Sequence, residues 1–345
     1  MDLSIAAILS LDGAANGAVY ALLALATVLV FLVTRIIFIP QGEFVAYGAL
    51  TFAALHAQQT PGVLWLLLSL AILAGVVECG EMMRRRQPAK RVALQVLGLV
   101  WPPLLVCAAV LAVTPTPSMV LQGILAVALV TALGPLIYRL AYQRLADASV
   151  LVLLIVSVGV HFALTGLGLY FFGPEGSRNP TFWDAEFATG AVTWSGQTLI
   201  TFAVMAVIMA ALYYFFERTL QGKALRATAV NRLGARLMGI STQGAGKQAL
   251  TLAAFIGAMS GLLIGSTTTM FYDSGFLIGL KGFVAAIVGG LASYPLAALG
   301  ALFVGVLESF GSFWASSFKE VIVFTLILPI LFWRSLGQLH NDEEE

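Results

Sequence analysis

Two carboxylates, Glu43 and Glu308, stand within or beside long apolar runs. An ionisable group at membrane depth is costly and by default faces a cavity or a charged partner, so both are functional candidates. Glu43 follows Pro40, Gln41 and Gly42, a combination that breaks a helix and frees backbone groups to line a solute path. The competing reading makes it an interfacial carboxylate near Arg35. Gln41, Gly42, Glu43, Gly289, Gly290 and Glu308 are therefore the candidates along a path, with close packing at a helix break the plainer role for the two glycines. Lys281 reads as a side chain outside its span that snorkels to the interface. His56 and His161 are far apart and lack ligand spacing, so they read as helix-packing residues and no metal is expected. Hydroxyls of the Ser266–Thr269 cluster more often bond their own helix backbone than a solute. Cys79 and Cys107 lack metal-ligand spacing and read as small packing residues. No nucleophile is paired with a base, so the chain reads as no enzyme. Gly244 to Lys247 (GAGK) has too few residues between its glycines for a phosphate loop and is followed by Gln248.

A different kind of chemistry, recognition, is suggested by the polar stretch 217–248. It carries Arg218, Lys223, Arg226, Arg232, Arg236 and Lys247 against one acid, Glu217. A turn between membrane helices needs only a few residues. Lys223 to Val230 is helix-compatible, Asn231 can cap a second short helix, and Gly239 can end it. Leu225, Ala229, Leu233 and Leu237 recur at four-residue spacing as an apolar stripe, with Arg226, Arg232 and Arg236 mostly off it. Two amphipathic helices of this kind fit a groove in another protein; a plain basic inner loop is the alternative.

The elements that position these residues follow from composition. The chain of 345 residues is 60% hydrophobic and 10% charged, against about 25% charged in soluble domains. Lipid must therefore be the solvent, and long apolar runs without alternation make the fold all-α and exclude a barrel. About ten spans are expected: near 13–33, 43–57, 62–80, 92–113, 119–138, 149–172, 195–216, 249–271, 276–311 and 318–333. The run 276–311 is too long for one crossing and is interrupted by Gly289-Gly290 and Ser293-Tyr294-Pro295, so it is expected as two pieces. An outside N-terminus puts Arg35, Arg84, Arg85, Arg86, Lys90, Arg91, Arg139, Arg144, the loop cations and Arg334 inside. Only Arg178, Lys281 and Lys319 then lie outside, and the acidic tail Asp342 to Glu345 falls in the cytoplasm. The acidic, Trp-bearing loop 173–194 suits the outer surface.

Gly222-Lys223-Ala224-Leu225-Arg226-Ala227-Thr228-Ala229, then Asn231 and Ala235-Arg236-Leu237-Met238-Gly239-Ile240, resembles the coupling loop of branched-chain amino acid ABC permeases. Asn16 to Leu25 resembles that family's first helix, and Gln41-Gly42-Glu43-Phe44 with Gly48-Ala49 its second element. Gly279 to Leu291 and Gly305-Val306-Leu307-Glu308 resemble its C-terminal signature. The resemblance covers roughly 11–57 and 119–337 in the family's order. It departs at Ile37-Phe38-Ile39-Pro40-Gln41, where relatives carry Asn-Phe-Ala-His, leaving Gln41 as the polar replacement. A stretch of about 60–115, with Arg84-Arg85-Arg86, reads as a two-span insertion on the lipid side of a single permease domain, 1–345.

What the resemblance implies is the membrane subunit of a bacterial ABC importer in the inner membrane. Arg226, Ala227, Asn231, Ala235, Arg236 and Gly239 would be the coupling residues. Implied partners are cytoplasmic ATPase subunits that bind ATP and Mg, a second permease of the same or a different sequence, a periplasmic binding protein, and lipid. Nucleic acid and a cofactor in this chain are not implied. The implied substrate is a branched-chain amino acid or a related small amide or acid. An ion-coupled secondary transporter is the alternative, with Glu43 or Glu308 as the ion-coupling group.

Overall fold

The computed structural model describes residues 3–114, 116, 118–189, 192–291, 293–325, 328–330 and 332. Among these the helices are α1 (Leu3–Thr34), α2 (Gln41–His56), α3 (Val63–Arg84), α4 (Ala89–Val113), α5 (Met119–Ile137) and α6 (Val150–Phe172). They continue with α7 (Gly196–Arg218), α8 (Leu220–Val230), α9 (Arg232–Leu237), α10 (Thr242–Gly265), α11 (Ser274–Val288), α12 (Tyr294–Trp314) and α13 (Lys319–Thr325). A short antiparallel hairpin, β1 (Glu186–Thr189) and β2 (Val192–Ser195), precedes α7 in the loop expected to lie outside. Among the described residues eight helices are long and apolar enough to cross a bilayer, and α2 and α11 are shorter. The chain is thus a polytopic helical membrane protein. Arg334 and the acidic tail lie outside the described residues, as does the end of the last expected span.

The chain divides into two compact units. One comprises Leu29–Pro180 and Tyr214–Phe276. In it α10 packs on α2 and α5. Gly257, Gly261 and Gly265 fall at four-residue spacing along α10, the small-residue stripe that lets membrane helices approach closely. A Cβ on Gly261 would lie 2.1 Å from the Val45 carbonyl oxygen, and one on Gly48 of α2 would lie 2.5 Å from that of Ala258. This packing buries α2 almost completely, which explains how a helix of 16 residues, about 24 Å, is tolerated without matching the bilayer. α3 and α4 form a hairpin packed on α5. α5 ends in a π turn at Tyr138–Tyr142 and a 3-10 turn at Gln143–Leu145.

The other unit comprises 1–28, 181–213 and 277–345. There α1 and α12 meet through glycines, with a Cβ on Gly305 falling 2.3 Å from the Gly13 carbonyl oxygen. The expected break in 276–311 is a tight turn. Gly290 (φ 86°) and Leu291 (φ 56°) reverse the chain, and Pro295 opens α12. Gly289 abuts Ala297, since a Cβ there would lie 2.3 Å from its backbone. In this fold both glycines therefore serve the turn.

Candidate functional site

The polar loop is shaped by a cap at each corner. Thr219 Oγ1 accepts from the Gly222 amide at 3.0 Å and starts α8. Asn231 Oδ1 accepts from the Gly234 amide at 2.8 Å and starts α9, while the Asn231 amide closes α8 on Ala227 O. Gly239, at φ 80°, ends α9, and the Ile240 amide reaches back to Ala235 O at 2.9 Å. Ser241 Oγ then accepts from the Gly244 amide at 3.1 Å and starts α10.

The stripe expected along the loop is divided by this geometry, because a four-residue spacing does not carry across the corner at Asn231. Leu225 is fully buried and Ala235 nearly so, both turned into their own chain. Val230, Leu233, Leu237 and Met238 are 86%, 68%, 81% and 83% exposed. Beside them a groove of about 420 Å³ is lined by Arg226, Ala227, Asn231, Ala235 and Met238 among others. Of the six coupling candidates, Ala235 is buried, and Arg226, Ala227, Asn231, Arg236 and Gly239 are exposed. Arg226 pairs with Glu217. Arg236 Nη2 reaches Asp147 at 2.7 Å and its Nε donates to Thr242 Oγ1 at 3.1 Å. Exposed ion pairs contribute about 0–1 kcal/mol, whereas burying one large apolar side chain contributes about 1.5–3 kcal/mol. The apolar residues therefore dominate what this surface can bind, and Arg236 chiefly ties α9 to the chain before α6.

In the same unit, Gln41, Gly42 and Glu43 open α2 and are all buried. Gln41 Nε2 donates to Ala253 O at 3.0 Å, and Gly42 lies against Gly275. Glu43 Oε1 is 2.9 Å from His161 Nδ1, and the imidazole stacks on Phe276 at 4.5 Å. Among the described residues Glu43 Oε2 and Gln41 Oε1 have no hydrogen-bond partner. Two unsatisfied buried acceptors on one helical turn can accept donors from a passing solute or from water. His56 Nδ1 lies 3.1 Å from Gln122 Oε1. Ser266 and Thr267 hydroxyls bond Leu263 O and Ile264 O, so both serve their own backbone.

In the other unit, Glu308 accepts from Tyr20 Oη at 2.7 Å and from Lys281 Nζ at 2.6 Å, all three side chains being buried. This corrects the snorkelling expectation for Lys281, which lies in the middle of α11, where its partner is a carboxylate on α12. Sequence reasoning missed the pairings His161–Glu43 and Lys281–Tyr20–Glu308. The available signal was the rule that a buried charge needs a partner, but the partners lie 118, 27 and 288 positions away.

Residues 93–331 match the family described as branched-chain amino acid transport system / permease component. That range opens inside α4, so part of the stretch read as an insertion lies within it. The chain is 30% identical over 245 residues to the high-affinity branched-chain amino acid transport system permease protein BraD of Pseudomonas aeruginosa, covering 69% of this chain and 80% of that one. It is 29% identical over 234 residues to the permease protein LivH of Escherichia coli, covering 64% and 74%. The solved PsaBC from Streptococcus pneumoniae in complex with Fab has a TM-score of 0.36 and 10% identity over 93% of this chain and 88% of that chain, too distant to bear on the fold.

Proposed function

The chain belongs to the branched-chain amino acid transport permease family, and on that premise we propose that it is the membrane subunit of an ABC importer. It translocates branched-chain amino acids or related small amides and acids, using ATP hydrolysed by a separate subunit. The observation that carries this reading is the pair of capped helices α8 and α9, with Val230, Leu233, Leu237 and Met238 turned outward beside a groove. Burying those four side chains contributes about 6–12 kcal/mol before the costs of association, enough for a specific partner. The partner is a cytoplasmic ATPase that binds ATP and Mg. A second permease and a periplasmic binding protein complete the assembly in the inner membrane.

Co-purification with the cognate ATPase tests the reading. Leu237→Ser with Met238→Ser is expected to lower ATPase retention at least tenfold and to abolish substrate-stimulated hydrolysis, with expression unchanged. Undiminished binding in that variant would remove α8 and α9 as the docking surface. Arg226→Glu alone should cost little, since its charge is already paired with Glu217. Arg236→Glu is a poorer probe, because it would set a carboxylate against Asp147 and disturb the loop itself.

A second reading, ion-coupled transport, draws on the buried Glu43–His161 pair. Uptake that persists without the ATPase and collapses with the proton gradient would favour it.

A further inference from the structure

The hairpin of α3 and α4 ends in Arg84, Arg85, Arg86, Lys90 and Arg91, all exposed. A cation run on a turn is ordinarily just a solvated loop. Here it borders a cavity of about 560 Å³ whose wall includes Arg85, Arg91, Arg139, Arg144, Asp147 and Gln243. The acids in that wall are already engaged. Arg139 takes Glu78 and Glu81, each at 2.5 Å, Arg144 takes Glu81 at 2.6 Å, and Arg236 takes Asp147. Arg85 and Arg91 make no ion pair among the described residues. The cavity therefore presents uncompensated guanidinium groups, with the nearly buried Arg139 in its wall held by two carboxylates.

A second recess, of about 410 Å³, shares Arg139 with the first and continues along α4 to Gly98 and Leu99. On the same helix Leu94, Leu97 and Trp101 are exposed. In a membrane protein such a face meets acyl chains. A polar, cationic chamber thus runs into an apolar helix face, the shape of an amphiphile with an anionic head.

We propose that this cavity holds the phosphate head group of an anionic phospholipid, with its acyl chains lying along α4. Arginine forks suit phosphate oxygens, and basic pockets between membrane helices are suited to such head groups. Free inorganic phosphate has the same head chemistry, but it would leave the apolar continuation unused. The proposal rests on the membrane permease reading and not on ATPase docking, so its test omits the ATPase.

The full-length chain in dodecyl maltoside is titrated with cardiolipin, phosphatidylethanolamine or inorganic phosphate, and followed by native mass spectrometry and thermal unfolding. Cardiolipin is expected to be retained and to stabilise, while the zwitterionic lipid and phosphate do neither. Arg85→Gln with Arg91→Gln should weaken cardiolipin binding about twenty-fivefold, about fivefold per charge. Arg85→Lys with Arg91→Lys should keep most of it, because the point charges remain. Arg84→Gln with Arg86→Gln removes as much charge from the turn but not from the cavity wall, and should change little. Equal retention by the Arg85/Arg91 glutamine variant and the unaltered protein would overturn the site. So would equal loss in the Arg84/Arg86 variant, which would show surface charge alone, or stabilisation by phosphate matching that by cardiolipin.

Discussion

Glu308 is held by an ammonium and a phenol, so its charge is compensated inside the protein. Lys281→Met is expected to destabilise by about 3–5 kcal/mol, because the carboxylate would stay buried without its counter-charge. Lys281→Met with Glu308→Gln should recover most of that loss, since no buried charge is left. Thermal unfolding of the purified chain in detergent measures both, and a double variant as damaged as the single one would refute the pairing as the cause. Glu43 differs, because one of its oxygens lacks a partner among the described residues. If a solute donor uses that oxygen, Glu43→Gln should lower uptake roughly tenfold to a hundredfold, the worth of a charged hydrogen bond, with expression intact. Uptake like that of the unaltered protein would remove Glu43 from the path. Sequence could flag both carboxylates, because a charge in an apolar run is conspicuous in one dimension. It could not find His161, Tyr20 or Lys281 as their partners, since those contacts depend on which helices pack together.

α8 and α9 were legible as a pair because the corner and the end are set locally, by Asn231 and Gly239, whereas the start read at Lys223 falls at Leu220, where Thr219 caps the helix. Which of their faces turns outward was not legible. The stripe from Leu225 to Leu237 ran one four-residue spacing across both short helices, and the corner at Asn231 rotates the second half away. The same contrast governs α2 and α10. Gly261→Leu must push the two helices apart, because even a Cβ there would lie 2.1 Å from Val45 O. The expected cost is about 1–3 kcal/mol or more, with loss of a monodisperse peak on size exclusion. Gly159→Ala and Gly166→Ala on α6 provide the contrast, having nothing among the described residues within 4 Å of the added carbon. Each should be neutral or stabilise by up to about 1 kcal/mol through helix propensity. If Gly261→Leu behaves like the α6 variants, close approach is not what joins α2 to α10.

For the molecule as a whole, composition alone fixed the membrane class and charge alone proposed an orientation. Among the described residues the helices expected up to 311 recur at nearly the expected places, and what remained hidden was how a hairpin is anchored. Arg139 and Arg144 reach back to Glu78 and Glu81, tying α3 to the end of α5 beside Asp147. Gln87 on the hairpin turn, Gln221 on α8 and the chain at Asp147 thus belong to one end of the same unit, joined through Arg139 and Arg236. Glu175 follows the far end of α6, whose 23 residues span about 34 Å. The importer reading requires the first end to face the cytoplasm, where an ATPase can reach α8 and α9. In a chain lacking Cys79 and Cys107, Gln87→Cys, Gln221→Cys and Glu175→Cys can be labelled one at a time with a membrane-impermeant maleimide. Glu175→Cys should react in cells whose outer membrane is opened, and the other two only after the inner membrane is permeabilised. The reverse pattern would put the coupling helices beyond the reach of any cytoplasmic ATPase and end the importer reading, while leaving the lipid cavity standing on its own test.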